Sequence, residues 1–288
     1  TIFVGLNEKE FQVSALQSLA NLRLAQDRCE EAVELAEIAK VASLRSEDEV
    51  LQARMYLLMA QAHLSLFSKR QEEDLWTSEE QRRLLMEKAV LSAQHGWRLA
   101  QNLGDPRLLA DAASAKAEVS LVAVSVKVDV SHIIGDMAAD LRDPLSAATL
   151  AVKLHRACTT GAASLGLGNA LLTEAQAALI MGTPSEALRF AANALWTSWS
   201  LGDHDLEVVA KKVLGKAGSW WLQQRMLPRA RCNVVSGLVG LVLGKPVDPD
   251  TPFADLGLGT CLDASVGCKL ESILRTAFKG VDLPWDLS

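Results

Sequence analysis

Aromatic residues are scarce in this chain of 288 residues, where they make up only 5% and include a single tyrosine. The hydrophobic fraction is nevertheless 49%, and alanine and leucine dominate it. Both are strong helix formers, so the composition favours packed helices over a sandwich or a barrel. The length allows large buried surfaces and two domains.

The sequence also has no cysteine or histidine pair with the spacing of a zinc or redox motif. The cysteines are Cys29, Cys158, Cys232, Cys261 and Cys268. The histidines are His63, His95, His132, His155 and His204. We therefore expect solvated or hydrogen-bonded imidazoles, no metal and no other cofactor. Free buried thiols favour a reducing compartment, either cytoplasmic or organellar, and the sequence does not specify which.

Dense basic clusters and long apolar runs are missing as well. The formal net charge is −6, so we expect no nucleic-acid partner. The longest mainly apolar run, residues 234–243, is too short to cross a bilayer, so we expect no transmembrane segment. Residues 237–245 do not form a phosphate loop, because Val239 stands where such a loop needs glycine and Pro246 where it needs Ser or Thr.

Small side chains recur at helical spacing, and they are the first positive signal. They are Ala32, Ala36 and Ala39, then Ala89, Ala93 and Gly96, and then Ala187, Ala191 and Ala194. Spacings of four and three place each set on one helix face, where a neighbouring helix can approach closely. Each set is followed by a helix stop, at residues 46–48, 103–105 and 201–203. In the last two stops, glycine supplies the C-cap and aspartate can cap the next helix.

A second helix precedes two of these sets at a constant distance. Ala20 lies twelve residues before the first set, and Ala175 lies twelve residues before the third. Two antiparallel helices per unit follow, a pattern that resembles tetratricopeptide repeats of the slightly long kind. Residues 180–188 are the best single match, with Gly182 closing one helix and Thr183 or Ser185 capping the next.

Two segments interrupt the repeat. Residues 69–83 form an insertion rich in Glu, Gln and Arg, with Trp76 inside it, and we expect an exposed loop or an extended helix. Valines at alternate positions over 122–130 fit a strand, but valines over 119–130 also fit one helix face. We predict helix for 122–130, because the residues before it are helical in pattern.

The last part of the chain carries a different pattern. Residues 248–261 read DPDTPFADLGLGTC, and GVDLP follows at 280–284. This stretch resembles an acyl carrier protein, in which a serine at the start of the second helix carries phosphopantetheine. The resemblance places Thr260 at that position, with Gly259 before it and Cys261 after it. A threonine hydroxyl is secondary and hindered by its methyl group, so we do not expect modification.

Two other groups near Thr260 could in principle react. Ser265 lies more than one helical turn further on and faces elsewhere. The Cys261 thiol would sit at a helix N-terminus, which lowers a thiol pKa, but no histidine is nearby in sequence to act as a base. The carrier-like part is therefore interpreted as a folded module that serves in contacts and not as a chemical carrier.

Tryptophans are the candidate partner-binding residues, since tryptophan is favoured in interface hot spots. They are Trp76, Trp196, Trp199, Trp220 and Trp221. The alternative is that they anchor the core or a domain interface.

We therefore predict an all-α protein with two parts. Residues 1–228 form a tetratricopeptide-like α-solenoid of helix hairpins, and residues 229–288 form a small carrier-like helical module. The chain starts within a repeat and stops before a carrier fold would be complete, so we expect it to be part of a longer protein.

The expected function is that of a non-enzymatic scaffold or assembly subunit of a larger complex, organellar, membrane-associated or cytosolic, with other protein subunits as partners. One alternative is an acyl carrier or accessory component of a polyketide or fatty-acid synthesis system. A second is a regulator that binds short peptides in its groove.

Overall fold

The computed structural model describes residues 9–46, 48–76, 78–127, 143–159, 162–223, 237, 239–240 and 264–277. Within these residues every regular element is an α-helix and none is a strand, so the predicted all-α class is confirmed. The ten helices described are α1 Lys9–Ala25, α2 Cys29–Ser43, α3 Glu49–Glu72, α4 Glu79–Leu103, α5 Pro106–Ser125, α6 Pro144–Cys158, α7 Leu165–Ile180, α8 Pro184–Leu201, α9 His204–Gln223 and α10 Ala264–Ala277.

The chain divides into two compact units, residues 1–161 and 162–288. In the first unit each helix from α1 to α5 packs on the helix that follows it, and α3 also contacts α1 and α5. In the second unit α8 packs between α7 and α9, α7 also contacts α9, and α10 packs on α9. The predicted boundary between residues 228 and 229 lies outside the described residues and stays a prediction.

The small side chains predicted to line helix faces are buried. Every alanine of the three sets has no exposed surface, and Gly96 is buried too. At Gly96 an added Cβ would lie 2.6 Å from Leu57 Cδ2, so the Leu57 side chain of α3 packs directly on this glycine of α4. The spacing of four and three therefore marks the contact faces of these helices, as predicted.

The predicted helix stops also have the expected geometry. Gly104 and Gly202 adopt left-handed φ values of 65° and 69°, which favour glycine. Asp203 accepts a hydrogen bond from the backbone N–H of Leu206 at 2.9 Å, as predicted. Asp48, at the stop without glycine, accepts one from Leu51 at 3.1 Å, although no cap was predicted there. Asp105 caps α5 in the same way, by accepting from two N–H groups of its first turn.

At the best-matching repeat, the structure corrects one detail. Gly182 has a φ of 78° and closes α7 as predicted. Thr183 is the N-cap residue of α8, but its side chain makes no capping hydrogen bond. Its hydroxyl instead donates to the carbonyl of Ala178, 3.1 Å away, because it points back to the last turn of α7. Pro184 follows at the first helical position, where its missing N–H costs nothing.

The insertion over residues 69–83 lengthens two helices. The helix α3 continues to Glu72 and α4 begins at Glu79, and the described residues 73–76 and 78 between them are not helical. Trp76 in this connection is partly buried, and its ring centroid lies 5.1 Å from that of Phe67. Both predicted alternatives are therefore correct in part, but the tryptophan packs against the core of its own unit.

The extended end of α3 also holds the turn between α1 and α2. Lys69 Nζ donates to the carbonyl oxygen of Asp27 at 2.5 Å and pairs with its carboxylate at 2.9 Å. Asp27 has a φ of 58°, a left-handed conformation that aspartate tolerates better than most residues. The lysine therefore adds two long-range contacts to a turn that also has local backbone hydrogen bonds, among them Arg28 N–H to the carbonyl of Arg23.

Residues 122–125 belong to α5, so the helix predicted for 122–130 is confirmed over that part. Val126 is the C-cap residue of the helix, and Lys127 has a φ of 53°. Residues 128–130 lie outside the described residues.

Two glycines of α9 face the end of α10, and they generate a prediction. A Cβ on Gly218 would lie 1.5 Å from the carbonyl oxygen of Ala277, whereas a Cβ on Gly215 would lie 3.4 Å from that of Thr276. A backbone atom cannot yield as a flexible side chain can. We expect Gly218→Ala to separate α10 from α9, so that amide hydrogen exchange over residues 264–277 accelerates at least about tenfold.

The matched control is Gly215→Ala, on the same helix and facing the same neighbour. It should leave exchange over 264–277 unchanged, and the better helix propensity of alanine should offset its tighter contact. Equal protection of α10 in the two variants would contradict the packing described.

Candidate functional site

Two tryptophans of α8 and a lysine of α10 meet in the second unit. Trp196 and Trp199 stand three residues apart, with ring centroids 6.3 Å apart and planes at 70°, an edge-to-face pair. Lys269 Nζ lies 5.0 Å from the Trp196 centroid and 6.0 Å from that of Trp199. All three side chains are partly buried. We call these three residues the tryptophan clamp.

An ionised carboxylate adjoins the clamp. Glu207 of α9 accepts a hydrogen bond from the Trp199 side chain and pairs with Lys211 Nζ at 2.6 Å. The hydrogen bonds from Lys211 and Trp199 hold the pKa of Glu207 below its ordinary value. The clamp therefore combines two aromatic rings, whose faces attract cations, with a neighbouring carboxylate whose charge Lys211 balances.

The other tryptophans predicted to contact partners have different surroundings. Trp221 is 2% exposed and lies inside the second unit, and Trp220 is partly buried. Trp76 packs on Phe67 in the first unit. Of the five predicted residues, the structure brings together Trp196 and Trp199 and gives them a cationic neighbour. Their contact with another protein remains a prediction.

The carrier-like site falls outside the described residues. Thr260, Gly259 and Cys261 are not among them, and only the helix after them, α10, is described. Ser265 is a residue of that helix. The expectation that Thr260 is unmodified therefore stays a prediction.

A serine and a histidine form a second polar cluster, in the first unit. Ser114 Oγ of α5 and His155 Nε2 of α6 are 3.0 Å apart, and His155 is 6% exposed. Burial lowers the pKa of His155, and the charge of Asp111 opposes that shift. Asp111 lies one helical turn before Ser114, and burial raises the pKa of its carboxyl. No sequence motif marks this pair, because Ser114 and His155 belong to different helices.

A hydroxyl bonded to a neutral imidazole is the nucleophile–base pair of acyl-transfer enzymes. Such enzymes also need donors for the oxyanion, often free backbone N–H groups. Ser114 lies in the interior of α5, where backbone N–H groups bond to carbonyls one turn earlier. The helix backbone around Ser114 therefore offers no such donors, and the pair is interpreted as an interhelical hydrogen bond that satisfies a buried imidazole.

This interpretation predicts a loss of stability when the hydroxyl is removed. Ser114→Ala leaves a buried imidazole nitrogen without its partner and should lower the free energy of unfolding by about 1–2 kcal/mol. Urea unfolding followed by circular dichroism would measure it. Ser125→Ala is the matched control, because Ser125 is exposed on the same helix and its hydroxyl donates, within the described residues, to the carbonyl of Val122 alone. Equal midpoints for the two variants would contradict the interpretation.

Two further titratable groups of the first unit are shifted in opposite directions. His63 is 2% exposed, and its Nδ1 has no hydrogen-bond partner within the described part of the chain. Burial, with added repulsion from Lys88 and Lys40, lowers its pKa to about 4. Burial raises the pKa of Glu118, on α5, to about 7. Both groups therefore resist ionisation in the folded protein.

Glu118 gives a prediction with a defined sign. Its pKa rises from 4.5 to about 7 on folding, so the stabilising effect of its protonated form is complete below pH 4.5 and is lost as the pH rises through 7. Above pH 7 the buried carboxylate costs the folded state up to about 3 kcal/mol. Glu118→Gln should therefore unfold at higher urea than wild type at pH 8, with the difference shrinking as the pH falls to 4.5.

The control for this series is Glu72→Gln, because Glu72 is exposed at the end of α3. Its midpoint should follow wild type at every pH. A Glu118→Gln variant that is no more stable than wild type at pH 8 would show that the carboxylate is well solvated.

Within the ranges the structure describes, no group of three His, Cys, Asp or Glu side chains could hold a metal ion. The cysteines Cys29 and Cys158 are free thiols, the first buried and the second partly exposed. Among the described helices, none is both long enough and apolar enough to cross a membrane.

Comparison of the chain with protein-family models gives no match, and comparison with curated proteins gives none either.

Proposed function

We propose that this chain is a non-enzymatic scaffold or assembly subunit that binds other proteins of a larger complex through a helical-repeat surface. The observation that carries the proposal is the packing of helices on near neighbours in sequence, α1 on α2 and so on through each unit. Proteins built this way stack hairpins into extended surfaces, and they bind polypeptides more often than they form catalytic pockets. The tetratricopeptide-like superhelix and the carrier-like module are parts of this proposal.

An exposed apolar stripe along α2 and its C-cap residue, Leu44, supports the proposal. Ile38, Val41 and Leu44 lie at intervals of three and are 54%, 48% and 50% exposed. The opposite face of the helix is buried in the unit and carries Ala32, Ala36 and Ala39. Exposed glutamates at 34 and 37 and an exposed arginine at 45 lie among the apolar residues. Apolar side chains interleaved with charges suit a partner whose own surface is amphipathic.

The test is to purify the protein under gentle conditions from its source and to identify by mass spectrometry what remains bound in stoichiometric amount. The double variant Ile38→Glu/Val41→Glu puts two charges into the stripe. The variant should keep its helical circular dichroism spectrum. Its affinity for a stoichiometric partner should fall by about tenfold or more. The control is Val208→Glu/Val209→Glu, on an exposed part of α9.

If Ile38→Glu/Val41→Glu retains every partner, the apolar stripe is not a binding surface. A protein that carries no stoichiometric partner would contradict the scaffold itself. An intact mass that includes phosphopantetheine on the carrier-like module would favour the acyl-carrier alternative.

A further inference from the structure

The tryptophan clamp has the composition of a cation-binding site. The negative faces of aromatic rings attract ammonium and guanidinium groups placed within about 6 Å of the ring centroid, and tryptophan attracts them most strongly. Lys269 Nζ meets this condition at both rings, at 5.0 and 6.0 Å. Glu207, which pairs with Lys211, accepts a hydrogen bond from the Trp199 side chain and so fixes the position of that ring.

We propose that Trp196 and Trp199 form a binding site for an alkylammonium or guanidinium group, which Lys269 occupies in this structure and a cationic side chain of a partner polypeptide occupies in a complex. The assignment of the ligand to a partner rests on the proposed function. The site itself does not rest on the proposed function, because it is defined by the two indole rings and the Lys269 ammonium group that they contact.

The rings are placed to receive a ligand from outside the unit. Trp196 and Trp199 are partly exposed, whereas Thr197 and Ser198 between them are 7% and 1% exposed and face the interior. The two indoles therefore lie at a partly exposed edge of α8, beside Glu207 of α9 and Lys269 of α10. The rings are edge to face, and the ammonium group lies closer to the Trp196 centroid, at 5.0 Å, than to that of Trp199, at 6.0 Å, so Trp196 supplies the larger attraction.

Lys269 can leave the clamp while α10 stays in place. The helix is anchored by Ile273, Leu274 and Ala277, which are 0%, 0% and 1% exposed, and by the close approach of Ala277 to Gly218. Lys269 is not part of that buried set. Its ammonium group lies at the end of a flexible four-carbon stem, so rotation of the side chain empties the site. An internal lysine then acts as a competitor that any external cation must displace.

The experiment uses tetramethylammonium chloride as the probe and the full chain as the protein. Binding is followed by the indole N–H resonances of Trp196 and Trp199 in a nitrogen–proton correlation spectrum, assigned with Trp196→Phe and Trp199→Phe. In Lys269→Met the competitor is removed, and we expect tetramethylammonium to bind at least about fivefold more tightly than to wild type. Lys269→Arg retains a cation and should bind the probe as weakly as wild type.

Two further variants test the location of the site. Lys216→Met removes an exposed lysine from α9 and should behave as wild type. The double variant Trp196→Ala/Lys269→Met removes one of the two rings. It should lose the gain in affinity for tetramethylammonium that Lys269→Met shows. Equal affinity of wild type and Lys269→Met, or a gain that survives the loss of Trp196, would overturn the proposal. If Lys269→Met detaches α10 from α9, the two indoles are still free of a competing lysine. Failure of that variant to bind tetramethylammonium would therefore also overturn the proposal.

The outcome is separable from that of the proposed function. Probe binding by Lys269→Met needs no partner, whereas scaffold activity is judged by stoichiometric partners of the purified native protein. A clamp that binds the probe in a chain without protein partners would keep the cation site and refute only its assignment to a partner side chain.

Discussion

The close approach of neighbouring helices is the constraint on which the remaining structure depends. Alanine and glycine occupy the contact faces, and the alanines there are fully buried. A small side chain contributes little buried area, so the stability of each pair comes from many short contacts along the backbone and from the larger residues around them, such as Phe67 and Met86. Larger residues at the contact faces would push the helices apart and leave these contacts unmade.

The same tight packing explains why polar groups inside the first unit have unusual properties. His63 and Glu118 lie where water has little access, and neither forms an ion pair with another described residue. Burial therefore favours the neutral form of each group, which is the unprotonated imidazole of His63 and the protonated carboxyl of Glu118. His155 differs, because the hydroxyl of Ser114 occupies its Nε2. The imidazole of His155 therefore joins two helices, whereas that of His63 is buried without such a contact on its Nδ1 among the described residues.

Sequence reasoning predicted those features that depend on local geometry. The spacing of Ala187, Ala191 and Ala194 located a buried face, and Gly104 and Gly202 located helix ends, because both depend on residues a few positions apart. It did not predict that Lys269 lies over Trp196 or that Ser114 bonds to His155. Those contacts join distant segments, and no periodicity or motif encodes which helices become neighbours. The two motifs that carry the carrier-like resemblance, at 248–261 and 280–284, lie outside the described residues.

Packing between helices that follow one another has a consequence for how each unit assembles. Its contacts join segments that are close along the chain, so few long loops must close before stabilising contacts form. We expect rapid folding that begins within single hairpins and can start while the chain is still emerging from the ribosome.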